Sequence, residues 1–409
     1  MAIVKPFAAL RPKPELAARI CELPYDVMSS DEARRLAVGN PLSFLRVSKP
    51  EIDLAPGVDV HSPEVYAKGR ENFDRLIAEG SLRRDAGPRF HLYRQIMGTH
   101  SQIGLVAGAS CEEYLAGAIK KHEFTRPDKE DDRVRHIEAL GAQTGPAFLV
   151  YRARPSFDAF VARKTAPPPE TDFTAADGVR HSGWVLDDPA DIAFVQAEFA
   201  AVPALYIADG HHRSAAAGRV YQARRAAPGG AGAADAFLSV IFPHDQVRIL
   251  PYNRVLKDLN GLTPAALLER LATVCQIGPA TAPQPGGPLE MTLFLEGTWH
   301  GLRFHPEPAE AADPAGQLDV ALLQSRILAP IFGVTDPRTS QRINFIGGIR
   351  GTAELERLVR EGEYACAFAM HPTGIGQLMA IADAGGIMPP KSTWFEPKLR
   401  DAMYCRLAG

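Results

Sequence analysis

The residues best suited to chemistry form one short segment: Asp209, Gly210, His211, His212 and Arg213. An apolar run, 204–208, precedes it and predicts a buried strand, and an Ala-rich run to about Arg225 predicts a helix after it. The strand would deliver Asp209 at its carboxyl end, where α/β proteins bind ligands. Gly210 permits the tight turn, and the helix would begin with free N–H groups and the positive end of its dipole. The segment therefore predicts a site for an anion such as phosphate or carboxylate, with Arg213 as a bidentate donor.

Two histidines and an arginine in the first turn are not the residues expected if stability of the helix were the only requirement, because acidic side chains stabilise that turn. Such a conflict between a local rule and the sequence is typical of a functional site. Two other interpretations stay open: a surface turn with basic residues, or a metal-binding pair formed by His211 and His212. Adjacent histidines point in different directions, unlike the i, i+4 pairs of helical metal sites, so we assign no metal ligands.

A second polar cluster lies in the first third of the chain and comprises Lys120, Lys121, His122, Glu123 and Arg126. The lysines and Arg126 are candidates to hold phosphates. Glu123 is a candidate base or a ligand that assists a Mg²⁺ ion. The alternative is a solvated, charge-mixed segment that leads into a helix, and composition alone does not exclude it.

One candidate base lies near the N-terminus: Asp26, in the turn Leu23-Pro24-Tyr25-Asp26-Val27. A carboxylate in a turn between apolar residues is placed to accept a proton from a substrate hydroxyl. An aspartate in a turn is more often a residue that hydrogen-bonds its own backbone, and this interpretation also stays open.

The segment 388–400 near the carboxyl end combines prolines, aromatic residues and cations. Prolines stiffen such a segment, and its cations match an anionic ligand. Three interpretations stay open: a segment that closes over an anionic pocket, a docked tail, or a contact in a homodimer.

Length and composition limit the class of protein. The 409 residues exceed what one hydrophobic core usually supports, which predicts two domains. The net charge of −3 disfavours a nucleic-acid partner held by bulk charge. The five cysteines form no CxxC or CxxH spacing, which fits a reducing compartment and argues against a zinc site. Without a signal peptide or an apolar run of about 18 residues, the sequence predicts a soluble cytoplasmic protein with no membrane partner.

Several common scaffolds are unsupported, because the sequence contains no P-loop, no GxGxxG after the first strand, no GxSxG elbow and no HExxH. Periodicity predicts helices at 29–36, 62–80 and 128–140 and strands at 90–95, 102–107, 147–151 and 237–242. A hairpin is predicted at 290–304, and loops at 228–232 and 305–316. The Pro/Gly-rich run 278–288 is the clearest composition break, so the predicted domains are 1–277 and 289–409.

Four ordered motifs carry a family resemblance: Pro24-Tyr25-Asp26-Val27, Lys120-Lys121-His122-Glu123, Ala208–Arg213 and Pro389–Lys398. Together they resemble the bacterial DUF1015 family, which has no assigned function, over essentially the whole chain. The segment Asp209–Arg213 is also similar to the Gly-x-His-Arg box of the ParB/sulfiredoxin fold. This second resemblance implies an α/β fold with a nucleotide-binding core of that type, and we expect a C-terminal α+β extension after it.

In the ParB/sulfiredoxin superfamily the box holds nucleotide phosphates, and some members are free-serine kinases. The resemblance therefore implies transfer of a phosphoryl group from ATP or ADP, with Mg²⁺, to a small hydroxyl metabolite, with L-serine as the first candidate. The residues that would hold the phosphates are Gly210, His211, His212 and Arg213, assisted by Lys120, Lys121 and Arg126.

The catalytic candidates that follow from this resemblance are Asp26, Glu123, Asp209 and His212. Asp209 or Glu123 would steer the Mg²⁺ ion, and Asp26 or Glu123 would take the proton of the acceptor hydroxyl. The serine kinases use a glutamate near the N-terminus as the base, and the candidates at that place are Glu22 and Asp26.

Two other classes of function stay open. One is a nucleotide-sensing module, in which the same segment binds a nucleotide without an acceptor. The other is a phosphoester hydrolase with His211 or His212 as the nucleophile. DNA binding is disfavoured, because no predicted helix has a dense basic face.

Overall fold

The computed structural model describes residues 1–227, 230–305 and 313–408 and divides the chain into two compact units. Unit 1 consists of Met1–Val247 and Pro397–Gly409, and unit 2 is Arg248–Glu396. These limits differ from the predicted domains 1–277 and 289–409. The Pro/Gly-rich run does not separate the units, because the strand Cys275–Pro279, which overlaps the start of the run, pairs within unit 2. The loops predicted at 228–232 and 305–316 lie partly outside the described residues, at 228–229 and 306–312.

Unit 1 is built on a mixed β-sheet. Its strands are β1 (Val4–Lys5), β2 (Leu10–Pro12), β3 (Leu82–Arg84), β4 (Phe90–Met97), β5 (His100–Ser110), β6 (Ile119–Lys120), β7 (Ala142–Gln143), β8 (Ala147–Tyr151), β9 (Thr171–Thr174), β10 (Arg180–Leu186), β11 (Leu205–Asp209), β12 (Ala236–Pro243) and β21 (Arg406–Leu407). Counted over the described residues, nine of them form one sheet in the order β6-β11-β8-β12-β5-β4-β10-β9, with β1 paired to β5. The pairs β6–β11 and β8–β12 are parallel, and the other pairs of this sheet are antiparallel.

The helices of unit 1 lie between these strands along the chain. They are α1 (Ala17–Ile20), α2 (Ser30–Leu36), α3 (Leu45–Ser48), α4 (Pro63–Ala78), α5 (Cys111–Leu115), α6 (Pro127–Leu140), α7 (Pro155–Lys164), α8 (Pro189–Ala200) and α9 (His211–Arg225), with α1 to α4 in succession between β2 and β3. The mixture of helices with a partly parallel sheet confirms the predicted α/β class. The narrower assignment to a ParB/sulfiredoxin-like core stays a prediction.

The centre of the sheet in unit 1 is buried because its strands are largely apolar. Every residue of β8 and of β12 is buried, as expected for parallel strands covered on both faces. The small residues of α9 let this helix lie close to α5, since a Cβ on Gly218 would lie 3.1 Å from the ring of Tyr114. Close packing of α9 fixes the position of its first turn.

Unit 2 is built on an antiparallel sheet. Its strands are β13 (Arg248–Leu250), β14 (Tyr252–Leu256), β15 (Cys275–Pro279), β16 (Glu290–Leu295), β17 (Thr298–Phe304), β18 (Ile343–Gly347), β19 (Cys366–Met370) and β20 (Trp394–Glu396). Its α-helices are α10 (Pro264–Ala272), α11 (Asp319–Leu323), α12 (Gly351–Arg360) and α13 (Ile375–Asp383), and a π-helical turn follows α11 at Gln324–Leu328. In the described part of the unit, six strands form a sheet in the order β15-β17-β16-β19-β14-β18. Leu355 and Leu358 of α12 pack on this sheet against Phe294 and Val255.

Local sequence patterns predicted many of these elements. The capping box at the start of α2 is confirmed, because the Ser29 hydroxyl accepts from the Glu32 N–H at 3.2 Å and the Glu32 carboxylate accepts from the Ser29 N–H at 2.8 Å. The end of α6 at Gly141, with φ of 60°, is also confirmed, as is the hairpin of β16 and β17. Among the described helices, none is both long enough and apolar enough to cross a lipid bilayer.

Candidate functional site

The predicted strand–turn–helix segment exists, and its geometry depends on Gly210. The register of β11 against β8 shifts between Ile207 and Asp209, and such a bulge turns the end of the strand. Gly210 then takes the left-handed conformation, with φ of 92° and ψ of 30°. A Cβ at this position would lie 3.2 Å from the Cα of Ala147 and 3.1 Å from Nε of Arg213. Glycine is therefore required both for the turn and for the close approach of its neighbours.

Asp209, at the end of β11, is held by several donors. Its Oδ1 accepts from the N–H of Gly210 at 2.8 Å, and its Oδ2 lies 2.9 Å from the ammonium of Lys398. Nη2 of Arg213 lies 3.8 Å from Oδ1. Burial alone would raise the pKa of Asp209, but Lys398 and Arg213 outweigh burial and lower it well below its usual value. Asp209 is therefore a permanent anion that fixes the turn.

Arg213 connects Asp209 to the N-terminal region. Its side chain is 12% exposed, Nη1 donates to the carbonyl of Pro146 at 2.6 Å, and Nη2 lies 3.9 Å from the carboxylate of Asp26. Burial alone would lower the pKa of Arg213, but the carboxylates of Asp26 and Asp209 raise it above its usual value. Asp26 lies in the 3₁₀ turn Tyr25–Val27, and its side chain is 40% exposed. Asp26 is thus an accessible carboxylate beside a buried guanidinium.

A further carboxyl group, Asp401, lies close to Arg213 and is 2% exposed. Burial raises the pKa of Asp401 to about 7, against the opposing effect of Arg213. Within the described structure its Oδ1 has no hydrogen-bond partner. Asp401, Arg213, Tyr25 and Arg133 line a cavity of about 40 Å³, which has room for water molecules. We call Asp26, Asp209, Arg213, Lys398 and Asp401 the arginine cluster.

A second group of side chains uses the same helix turn. His122 follows β6 and is 2% exposed, and His211 begins α9 and is 6% exposed. Their ring centroids are 4.5 Å apart with the rings perpendicular, and Nδ1 of His211 lies 4.0 Å from the carboxylate of Glu123. Burial lowers the pKa of His122 to about 4 and lowers that of His211 well below its usual value. We call His122, Glu123 and His211 the histidine cluster.

The other predicted residues lie around these clusters. His212 is half-buried, and its Nε2 accepts from the backbone N–H of Arg126 at 3.1 Å. Arg126 pairs its guanidinium with Asp128 at 2.9 Å and is 71% exposed. The ammonium of Lys121 lies 3.9 Å from the centre of the Tyr114 ring. Lys120 is half-buried and lies opposite Tyr206 in the β6–β11 pair.

The structure thus brings together three predicted segments that are distant in sequence: the turn of Asp26, the segment of His122 and Glu123, and the segment 209–213. Glu22, the other candidate base near the N-terminus, is half-buried, and its Oε1 accepts a hydrogen bond from the Ser43 hydroxyl at 2.6 Å. Burial raises the pKa of Glu22, while the hydrogen bond from Ser43 opposes this increase.

Sequence reasoning did not assign Lys398 and Asp401 to the site. Both belong to the final stretch of unit 1, 397–409, and Lys398 lies 189 residues beyond its partner Asp209. The cations of 388–400 were a signal for Lys398, since a stiff segment with cations was a candidate to cover an anionic site. Asp401 directly follows that segment, and nothing in its local pattern distinguishes it.

Comparison with known proteins places the chain in a family. Residues 4–321 match the family described as "Protein of unknown function (DUF1015)". The match covers more than half of the chain, so the protein belongs to the DUF1015 family, as its motifs predicted. No curated protein matches the chain.

Several solved structures share low similarity with this chain. A free serine kinase in complex with AMP is 15% identical, covers 68% of this chain and 83% of its own, and has a TM-score of 0.35. SbnI with a C-terminal truncation, from Staphylococcus aureus, is 12% identical, covers 72% of this chain and 85% of its own, and has a TM-score of 0.39. A conserved hypothetical protein from Pyrococcus furiosus is 15% identical, covers 69% of this chain and 90% of its own, and has a TM-score of 0.33. At these values, no conclusion about function follows from the similarity.

Proposed function

We propose that this protein transfers a phosphoryl group from a nucleotide to a small hydroxyl compound, with free L-serine as the first acceptor to test. The observation that carries the proposal is the pairing of Asp26 with Arg213, whose charged groups are 3.9 Å apart at the first turn of α9. Phosphoryl transfer requires cationic groups on the phosphates and a base beside the acceptor hydroxyl. An arginine at a helix N-terminus supplies the first requirement, and an accessible carboxylate next to it supplies the second.

The phosphates would bind at the start of α9. The first N–H groups of a helix have no partner inside the helix, and the helix dipole favours an anion there. The groups assigned to this role are the backbone of Gly210, His211 and His212 and the side chain of Arg213, with Lys120 beside them. Lys121 and Arg126 would have to leave Tyr114 and Asp128, respectively, to take part.

The carboxylates would have different roles. Asp209 is bound by Lys398 and by the N–H of Gly210, and its lowered pKa makes it a poor proton acceptor, so it would position the turn. Asp26 and Glu123 remain as candidate bases. Mg²⁺ is usually held by one or two carboxylates together with substrate phosphates, and the accessible carboxylates of Asp26 and Glu123 fit that role. In that complex Mg²⁺ would neutralise phosphate charge.

The experiment is an acceptor screen. The purified chain is incubated with Mg²⁺ and ATP, ADP or CTP, together with a panel of small hydroxyl metabolites that includes L-serine, and products are identified by mass spectrometry. We expect one acceptor to gain a phosphoryl group. Asp26→Asn and Glu123→Gln keep the size of each side chain but remove proton acceptance, so one of them should lower turnover by about 10²–10⁴-fold with nucleotide binding nearly intact.

The outcomes separate the alternatives. Nucleotide binding without phosphorylation of any acceptor would replace the kinase with a nucleotide-sensing module. Release of inorganic phosphate together with a phosphohistidine would replace it with a hydrolase that uses His211 or His212. Unchanged turnover in both amide variants would exclude Asp26 and Glu123 as the base.

A further inference from the structure

The histidine cluster is assembled by two neighbouring parallel strands. β6 pairs with β11 in parallel register, with Ile119 opposite Leu205. The chain leaves β6 towards His122 and Glu123, and it leaves β11 through Gly210 towards His211. Because the carboxyl ends of parallel strands meet at one edge of the sheet, side chains that are 89 residues apart in sequence come into contact.

The polar atoms of this cluster are close together and incompletely satisfied. One ligand atom from each of His122, Glu123 and His211 lies within 4.8 Å of the other two. In the part of the chain that the structure describes, Nδ1 of His122 and Nε2 of His211 are buried and have no hydrogen-bond partner. Buried polar atoms without a partner are uncommon in native proteins, and here two of them lie on contacting rings beside a carboxylate.

We propose that His122, Glu123 and His211 bind a divalent transition-metal ion. Two imidazoles and one carboxylate are the ligand set of catalytic zinc sites and of mononuclear iron sites, which leave coordination positions open. Nitrogen ligands favour such ions over Mg²⁺ and Ca²⁺, which prefer oxygen. The metal ligands in this protein would thus come from three residues on two strand ends, and not from the adjacent pair His211 and His212.

The geometry allows the site to close on an ion. Metal–ligand bonds of about 2.0–2.2 Å bring ligand atoms nearer to each other than 4.8 Å, so at least one side chain has to move. Glu123 is the side chain with room to do so, since it is 45% exposed while the two imidazoles are buried. The backbone of Ile207 interacts with the His122 ring and orients it, as the backbone partners of metal-binding histidines do.

This proposal does not rest on the phosphoryl-transfer function, because the ion would bind without a nucleotide. The two proposals meet at Glu123, which cannot be a metal ligand and the general base at once. If Glu123 binds the ion, Asp26 is the base that remains. The ion would also add positive charge beside the first turn of α9, which would favour an anion there.

The test is direct metal binding by the full-length chain after treatment with a chelator. Zn²⁺ is titrated by calorimetry, and Co²⁺ is followed by its visible absorption, which differs between a protein site and the hydrated ion. We expect one ion per chain, with a Co²⁺ spectrum of nitrogen and oxygen ligands. His122→Gln and His211→Gln should each weaken binding by more than about 100-fold, which exceeds the loss expected when only a hydrogen-bond partner of a metal ligand is changed.

His136→Gln is the matched control, because His136 is 6% exposed like His211 but hydrogen-bonds the carbonyl of Val47 at 3.1 Å. It should keep the affinity of the parent, and melting curves of all variants check that they fold. Equal affinity in the parent and in both cluster variants would overturn the proposal, as would a Co²⁺ spectrum of the hydrated ion alone. An intense thiolate band would place the ion on a cysteine and would also overturn it. Since no nucleotide is present, failure here is distinct from failure of the acceptor screen.

Discussion

The arginine cluster and the histidine cluster share the first turn of α9, and among the described residues each contains buried polar atoms without a hydrogen-bond partner, but only in the arginine cluster do opposite charges compensate one another. In the arginine cluster, opposite charges face each other: Asp209 lies 2.9 Å from Lys398 and 3.8 Å from Arg213. In the histidine cluster, two buried rings face each other, and each keeps a nitrogen without a partner among the described residues. A paired buried charge is compensated within the protein, whereas an unpaired buried nitrogen is not.

This difference indicates how each cluster would accept a ligand. The two ring nitrogens of the histidine cluster that lack a hydrogen-bond partner among the described residues would gain a partner if a cation bound there. The arginine cluster already supplies carboxylates to Arg213, so an anion that binds there has to compete with Asp26. Substitutions in the arginine cluster should therefore change stability strongly, while substitutions in the histidine cluster should change stability little and ligand binding strongly.

The largest effect is expected from Arg213→Ala. Removal of this guanidinium leaves Asp209 with Lys398 at 2.9 Å and takes away the cation that most lowers the pKa of Asp401. Removal of one partner from a buried charge network costs about 3–5 kcal/mol, and urea denaturation at pH 7 measures this loss. Arg213→Lys should recover part of the lost stability, because the ammonium of lysine keeps the charge but does not form the bidentate hydrogen bonds of the planar guanidinium. Complete loss of the bidentate contact in Arg213→Ala should lower nucleotide affinity by about one to two decades, and Arg213→Lys should recover only part of that loss.

Arg219→Ala is the control on the same helix. Arg219 is 42% exposed and pairs with Glu130 and Asp131 on the surface, so its loss should cost no more than about 1 kcal/mol. If Arg213→Ala loses no more stability than Arg219→Ala, the arginine cluster is not a compensated buried network and the contrast with the histidine cluster fails.

The next effect concerns Asp401, the member of the arginine cluster that is least well compensated. Its pKa of about 7 in the folded protein exceeds the usual value of 3.8, so between these values the folded state binds more protons than the unfolded state. The stability that Asp401 contributes is therefore fully present below about pH 4 and is lost as the pH rises through 7. Asp401→Asn should remove this dependence and be more stable than the parent at pH 8, by at most about 4 kcal/mol for three pKa units.

Urea denaturation of the parent and of Asp401→Asn at several values between pH 4 and pH 8 measures this difference. Asp187→Asn is the control, since Asp187 is 65% exposed and should not alter the pH dependence. Parallel stability curves for the parent and Asp401→Asn would mean that Asp401 is ionised and well compensated by Arg213 across the whole range.

The parts of this molecule that the sequence predicted are those defined by residues near one another along the chain. The capping box of Ser29 and Glu32, the helix end at Gly141 and the turn at Gly210 each depend on a few adjacent residues. Such patterns fix local backbone conformation, and for this reason the strand–turn–helix segment and its motif could be read directly.

The parts that the sequence did not predict depend on the order of strands in the sheets. The contact of His122 with His211 requires β6 beside β11, and the ion pair of Asp209 with Lys398 joins residues 189 positions apart. The boundary between the units was also not predicted from the sequence. The Pro/Gly-rich run 278–288 has the composition of a linker, yet Pro279 in this run pairs opposite His300 in a sheet. Composition shows where the chain turns, but it does not show which strands become neighbours.

The smallest effect on stability is expected from His211→Leu in the metal-free protein. His211 is neutral because burial lowers its pKa, and its Nε2 has no hydrogen-bond partner in the described structure, so an apolar side chain of similar size removes only the 4.0 Å approach of Nδ1 to the carboxylate of Glu123. We expect the free energy of unfolding, measured by urea denaturation, to change by less than about 1 kcal/mol.

His136→Leu is the control: it loses a hydrogen bond to Val47 and should lower the free energy of unfolding by about 1–3 kcal/mol. With Zn²⁺ at 100 times its dissociation constant, the parent should gain about 2.7 kcal/mol and the His211 variant should gain none. A loss from His211→Leu as large as that from His136→Leu would show that His211 has a structural partner, and the two clusters would then not differ in the way described.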